Sequence, residues 1–207
     1  MRMARMLGGY ALVLMTGAVL AGCSLLRSDA EPDRIYALYP APGVAVGAAL
    51  PGVLQVPRPS VQPGLDTDRI ALTRAGNELD FYAQSRWSGP LPQVLGALAV
   101  QSMDGAFTTV TDSGRGAGAV DYELLLTARH FEAEYGANGG APEVRVALEC
   151  LLVATSPRRV LARCDAEVRE SAGENRMAPI VGAFERAVQR ALEEVRVKVA
   201  AAAAAQR

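Results

Sequence analysis

Two periodicities divide the chain. Between residues 120 and 168 apolar side chains recur at every second position: Val120, Tyr122, Leu124, Leu126 and Ala128, then Val144, Val146, Leu148, Cys150, Leu152 and Ala154, then Val160, Ala162, Cys164, Ala166 and Val168. Asp121, Glu123, Thr127 and Arg129 alternate with the first set, and Arg163, Asp165, Glu167 and Arg169 with the last. That is the period of strands with one buried and one wet face. The phase flips to Phe131, Ala133 and Tyr135 near His130, which predicts a bulge there or a strand leaving the sheet. Turns at 136–142 and 155–159 then give three long antiparallel strands in sequence order. From residue 178 the period becomes helical, with Ile180, Phe184, Ala187, Val188, Ala191, Leu192, Val195 and Val199 on one stripe and Glu185, Arg186, Arg190, Glu193 and Arg196 away from it. This predicts a helix over 178–199 covering the sheet. The alanine tail, 200–207, favours helix but has no apolar stripe to bury, and fraying is expected.

The first half alternates in shorter pieces. A strand is expected over 34–39 and another over 53–56, which stops at Pro57 and Pro59 because proline cannot donate to a ladder. Arg69–Arg74 and 78–84 read as a hairpin around Ala75-Gly76-Asn77, whose residues tolerate the positive φ of a tight turn. Leu91–Met103 places Leu91, Val94, Leu95, Leu98 and Met103 largely on one face of a helix, with Pro90 and Pro92 at its start and Gly105 closing it. Phe107–Thr111 is short and β-branched. The fold class expected is α+β, an antiparallel-rich sheet with two helices packed on one face.

The N-terminus changes the picture. Arg2 and Arg5 precede an apolar stretch from Met6 to Ala21, too short and too rich in small residues for a spanning helix, which is the layout of a cleaved secretory signal. It ends Leu20-Ala21-Gly22-Cys23, which resembles the bacterial lipobox. The resemblance implies cleavage after Gly22 and lipidation and acylation of Cys23. One buried acyl chain holds marginally, whereas two or three hold stably. The expected organisation is a signal peptide over 1–22, a lipidated cysteine and tether over 23–33, one α+β domain over 34–199 and the tail over 200–207.

Charge and composition exclude several classes. Loss of Arg2 and Arg5 takes the 21 basic residues to 19 against 22 acidic ones, a net charge of −3, so no basic field for nucleic acid remains. With Cys23 lipidated, Cys150 and Cys164 are the only free thiols, and a single histidine makes a structural zinc site or other metal centre unexpected. Each lies seven residues from Pro157, so a hairpin folded there sets them opposite each other on the apolar face. Either a disulfide or two buried thiols satisfies that placement. His130 has no nucleophile in triad order near it. Gly114, Gly116 and Gly118 precede a strand rather than a helix and read as a loop. Asp121, Glu123, Glu132 and Glu134 have the spacing of a solvated strand face. No catalytic residues and no cofactor are expected. Trp87 has two readings: a packing anchor at a strand-to-helix corner, or part of a docking surface with the Phe131 to Tyr135 extension.

The order of the lipobox, Leu54-Gln55-Val56-Pro57, Ile70-Ala71, Asn77-Glu78-Leu79-Asp80-Phe81-Tyr82, Arg86-Trp87 and Pro90-Leu91, closing with Ile180-Val181-Gly182-Ala183-Phe184-Glu185-Arg186-Ala187, resembles the auxiliary lipoproteins of ABC-type transporters, among them those of paraquat-inducible intermembrane transport. The resemblance implies a non-enzymatic component of a machine that moves lipid between membranes. It further implies partnership with a mammalian-cell-entry domain protein and an ABC permease and ATPase, and allows a homo-oligomeric ring. Ser24 stands where an aspartate would resemble an inner-membrane retention signal, so the expected location is the periplasmic face of the outer membrane. The alternative is an outer-membrane assembly lipoprotein that plugs or supports a lipopolysaccharide-transport barrel.

Overall fold

The long alternating stretches form the spine of the sheet. The computed structural model describes residues 31–41, 49–74, 78–113 and 118–205. The signal segment, Cys23, most of the tether, the expected turn at 75–77 and Gly114 and Gly116 lie outside them. The compact unit begins at Asp33. Its elements are β1 Arg34–Tyr36, β2 Leu50–Gln55, β3 Ser60–Val61, β4 Arg69–Arg74, β5 Glu78–Trp87, α1 Leu91–Met103, β6 Phe107–Thr111, β7 Tyr122–Glu134, β8 Glu143–Thr155, β9 Arg158–Ser171 and α2 Met177–Ala204.

Strand β7 is the hub. Along one edge it pairs antiparallel with β8 from Tyr122 opposite Ala154 to Glu134 opposite Glu143, and β8 pairs antiparallel with β9. Its other edge receives three pieces of chain in succession, all parallel: Leu54 beside Tyr122, Ser60 beside Thr127 and Leu72 beside Ala133. Residues 50–74 thus run beside β7 as one interrupted strand, broken where Pro57, Pro59 and Pro63 supply no N–H. Further out, β6 pairs parallel with β2, β5 antiparallel with β4, and β1 parallel with β5. The sheet is therefore mixed, with helices on one face: its longest ladders, β7–β8 and β8–β9, are antiparallel as expected, and short parallel pairings join them to the first half of the chain. Parallel partners lie 51 or more residues apart in this chain, and no local period records them.

The phase flip at His130 is a bulge. Ala128 faces Leu148 and His130 faces Ala147, leaving Arg129 as the extra residue. Before it, Leu124, Leu126 and Ala128 point to the core; after it, Phe131 and Ala133 do. The β8–β9 hairpin sets Cys150 opposite Cys164 at a Cα separation of 5.0 Å, joined by a disulfide.

Helix α2 buries its expected stripe, with Ala183, Ala187 and Ala191 on one i, i+4 line. Small side chains at these positions let the helix axis approach β8 and β9 closely. Two expectations for α2 are corrected. It continues to Ala204 with Ala203 buried, because tertiary contact supplies what the alanine tail lacks in its own pattern. Arg196 is buried rather than solvent-facing, and its guanidinium grips Glu193 through two hydrogen bonds of 2.7 and 2.8 Å. Leu91, Leu95, Leu98, Ala99 and Met103 of α1 join the same core.

Candidate functional site

The aromatic residues separate into a core group and an edge group. Trp87, at the end of β5, is 3% exposed and Phe131 1%. Trp87 stands edge-on to Phe184 at 5.1 Å between ring centres and to Phe131 at 6.0 Å, while Phe131 and Phe184 stack at 5.2 Å. Both residues belong to the core, which corrects their assignment to a docking surface and selects the packing-anchor reading of Trp87. The bulge at Arg129 is the reason for Phe131, since it turns that side chain inward. Tyr135 is half-buried: its hydroxyl lies 2.9 Å from that of Tyr82 and donates to Asn175 Oδ1 at 2.7 Å. Burial, reinforced by the Tyr135 hydroxyl, pushes the Tyr82 phenol well above the ordinary tyrosine range.

The surface with the strongest chemical pattern is the outer face of β7, β8 and β9, opposite α2. Its far end is a lattice of ions. Arg145 reaches Glu167 at 2.9 Å and Glu134 at 3.4 Å, Arg169 pairs with Glu134 and with Glu143, and Arg129 meets Glu149 at 2.7 Å. The hydrogen bond from Arg145 holds the Glu167 carboxyl below the usual carboxylate range, against the partial burial that pushes it up. Near the hairpin turn the same face carries apolar residues among charges: Leu125 is opposite Leu151 and Val153 opposite Val160, with Leu125 and Val160 exposed, while Glu123 lies opposite Val153 and Arg163 opposite Leu151. Sequence reasoning passed over this patch. Its signal was present, because Leu125 is the one apolar residue among the outward positions 121–129 and 148–153 is apolar on both faces apart from Glu149.

One of the four carboxylates expected on the solvated face is not there. Glu132 is 5% exposed, accepting the Phe131 N–H at 2.5 Å and lying 2.6 Å from His130 Nδ1. The loop at Gln62, Pro63 and Leu65 and the side chain of Leu79 border the pocket beside it, which accounts for burial that strand alternation does not register. Asp121 accepts the Val53 N–H at 2.8 Å, tying β2 to the start of β7. No Ser, Thr or Cys side chain hydrogen-bonds His130 among the described residues, and none of their His, Cys, Asp and Glu clusters is arranged to hold a metal ion.

A groove of about 700 Å³ lies between α1 and the ends of β2 and β6. Gly96, Ala97 and Val100 form its helical wall, Val56 and Val110 its sheet wall, and Arg58 and Asp112 its rim. Gly96 brings α1 onto the connection after β2: a Cβ there would lie 3.1 Å from Pro59 Cδ.

Comparison with known proteins gives a consistent outcome. The family model described as "ABC-type transport auxiliary lipoprotein component" matches residues 36–196. A crystal structure of a protein from Xanthomonas campestris superposes at a TM-score of 0.74 with 23% identity, covering 84% of this chain and 98% of its own. The crystal structure of an uncharacterized protein superposes at 0.64 with 14% identity, covering 82% and 99%. At these identities both show the fold alone. No curated protein matches the chain.

Proposed function

Since the chain belongs to the ABC-type transport auxiliary lipoprotein family, we propose that it is the lipid-anchored contact subunit of an intermembrane lipid transport machine of the mammalian-cell-entry type. The observation that carries this reading is the family match over residues 36–196, which takes in nearly all of the compact unit. Cys23 carries the lipid, and Ser24 after it favours the periplasmic face of the outer membrane. The work is done by binding. The outer face of β7, β8 and β9 offers an apolar patch for docking and an ordered set of charges for setting register, the division of labour expected of a protein interface. The occupant of that face is the mammalian-cell-entry protein or a permease and ATPase assembly bound to it, with copies of this chain arranged as a ring.

Crosslinking in native envelopes followed by affinity capture of the full lipidated chain tests the proposal. A mammalian-cell-entry domain protein and the transporter subunits are expected to co-purify. Their absence, with an outer-membrane barrel captured instead, would favour the lipopolysaccharide-assembly reading. Intact mass of the captured chain should show a start at Cys23 bearing added lipid.

A further inference from the structure

Residues 35–39, Ile35-Tyr36-Ala37-Leu38-Tyr39, are apolar without a break, yet only every second one packs inward. Leu38 is buried and Tyr36 packs against the core, while Ile35, Ala37 and Tyr39 are exposed. At 72% and 64%, Ile35 and Tyr39 are the two most exposed large hydrophobic side chains among the described residues.

The backbone that displays them is held from three sides. Arg34, Ile35 and Tyr36 pair in parallel with Ser85, Arg86 and Trp87. Arg86 grips Asp33 and, at 2.9 Å, Asp68. The Tyr39 N–H donates to Glu185 Oε1 at 3.1 Å, and Gln189 Nε2 donates to the Tyr39 carbonyl at 2.9 Å. An exposed apolar stripe on an ordered backbone needs little further ordering to bind.

We propose that the outward stripe of Ile35, Ala37 and Tyr39 is a second membrane contact, resting on the headgroup and acyl boundary of the leaflet that holds the anchor. The inference rests on the reading of Cys23 as lipidated. Asp33 is ten residues from Cys23, a span of at most about 36 Å when fully extended, so the stripe begins within reach of the bilayer. Tyrosine is enriched at that boundary, where its ring is apolar and its hydroxyl wet, and isoleucine beside it supplies hydrocarbon. Size argues for lipid over protein. Three side chains on one short segment fall far below the roughly 800 Å² per partner of a stable protein interface, whereas a tethered module needs only a weak second contact.

The test uses the full lipidated chain in phosphatidylethanolamine and phosphatidylglycerol vesicles, some with brominated acyl chains. Ile35→Cys and, as the control, Val197→Cys carry an environment-sensitive fluorophore; both positions are exposed, and circular dichroism checks that each variant folds. Bromolipid quenching at position 35 should exceed that at position 197 by about threefold or more, as for a group seated at the acyl boundary. Equal quenching at the two positions, or none at position 35, would overturn the proposal. So would a fluorescence change at position 35 that follows protein concentration rather than lipid, since it reports a second copy. Intact mass of the same sample separates the two levels: missing lipid on Cys23 refutes the anchor and this inference with it, whereas lipid present without quenching refutes only the second contact.

Discussion

Trp87 meets Phe184 edge to face, 5.1 Å between ring centres at 81° between planes, and so couples the last residue of β5 to the first half of α2. The contact joins two elements whose sequence positions differ by nearly half the chain. Both rings are buried and both also touch Phe131. Replacing Trp87 with alanine should cost about 3–5 kcal/mol, the usual range for deleting a buried large aromatic side chain. Urea denaturation should show a lower midpoint with little change in slope. A cycle with Phe184→Ala should give coupling of about 0.5–1.5 kcal/mol, and additivity of the two losses would show that the edge contact contributes nothing of its own.

The disulfide closes a short loop at the end of the β8–β9 hairpin, fourteen residues apart in sequence. Chain-entropy arguments put its contribution near 3 kcal/mol for a loop of about this length. The Cys150→Ala, Cys164→Ala double variant should melt at lower temperature, and dithiothreitol should lower the melting point of the native chain but leave the double variant unchanged. Denatured, unreduced protein should yield no free thiol from these two positions.

Gly52 has φ near +125°, and a Cβ there would lie 3.0 Å from Asp121 Oδ2 and 3.1 Å from the Tyr122 ring. It sits in the irregular stretch of β2 between the Leu50 and Val53 pairings with β6. Gly52→Ala should destabilise by about 1–3 kcal/mol through backbone strain and displacement of Asp121. Gly139→Ala, also at positive φ but with open space around it, should cost less. Chemical denaturation of the pair separates strain from crowding.

Acid should weaken the ion lattice in a definite direction. Glu167 has its carboxyl depressed by the Arg145 hydrogen bond, so its stabilising contribution is present above the ordinary glutamate value of about 4.3 and is lost as pH falls below it. The group is half exposed, and solvent screening keeps the effect small. Melting curves from pH 6 to pH 3 at low salt should show the native chain losing more than Glu167→Gln, the gap closing at the acid end and also with added salt. A gap that widens on acidification would contradict the assignment.

The two halves of the chain differed in how legible they were. In strands β7, β8 and β9 every second residue turns to the core over most of the length, so alternation placed them, and the hairpin geometry brought Cys150 to Cys164. Helix α1 matched its expected span because its apolar face and its flanking Pro90 and Gly105 lie within one short stretch. Strand β3 was not legible: two residues between prolines carry no period, and its identity as a strand comes only from Thr127 and Ala128 beside it.

Site residues followed the same rule. Trp87 and Phe131 carry a composition equally suited to a core and to an interface, and only the rings brought to them by α2 settle which. Glu132 looked solvated because its neighbours alternate, yet the chain at Gln62 to Leu65 borders its pocket from a distant part of the sequence.

By itself the sequence determined the class of fold, the two helices, the long hairpin strands and the change of phase beside His130, since each is written in the spacing of a few neighbouring residues. The tertiary structure decided the parallel docking of β2, β3 and β4 along β7, the burial of Trp87, Phe131, Glu132 and Arg196, and the ordered continuation of α2 to Ala204. Those outcomes depend on which remote segment covers a residue, and coverage is a property of packing that no local period encodes.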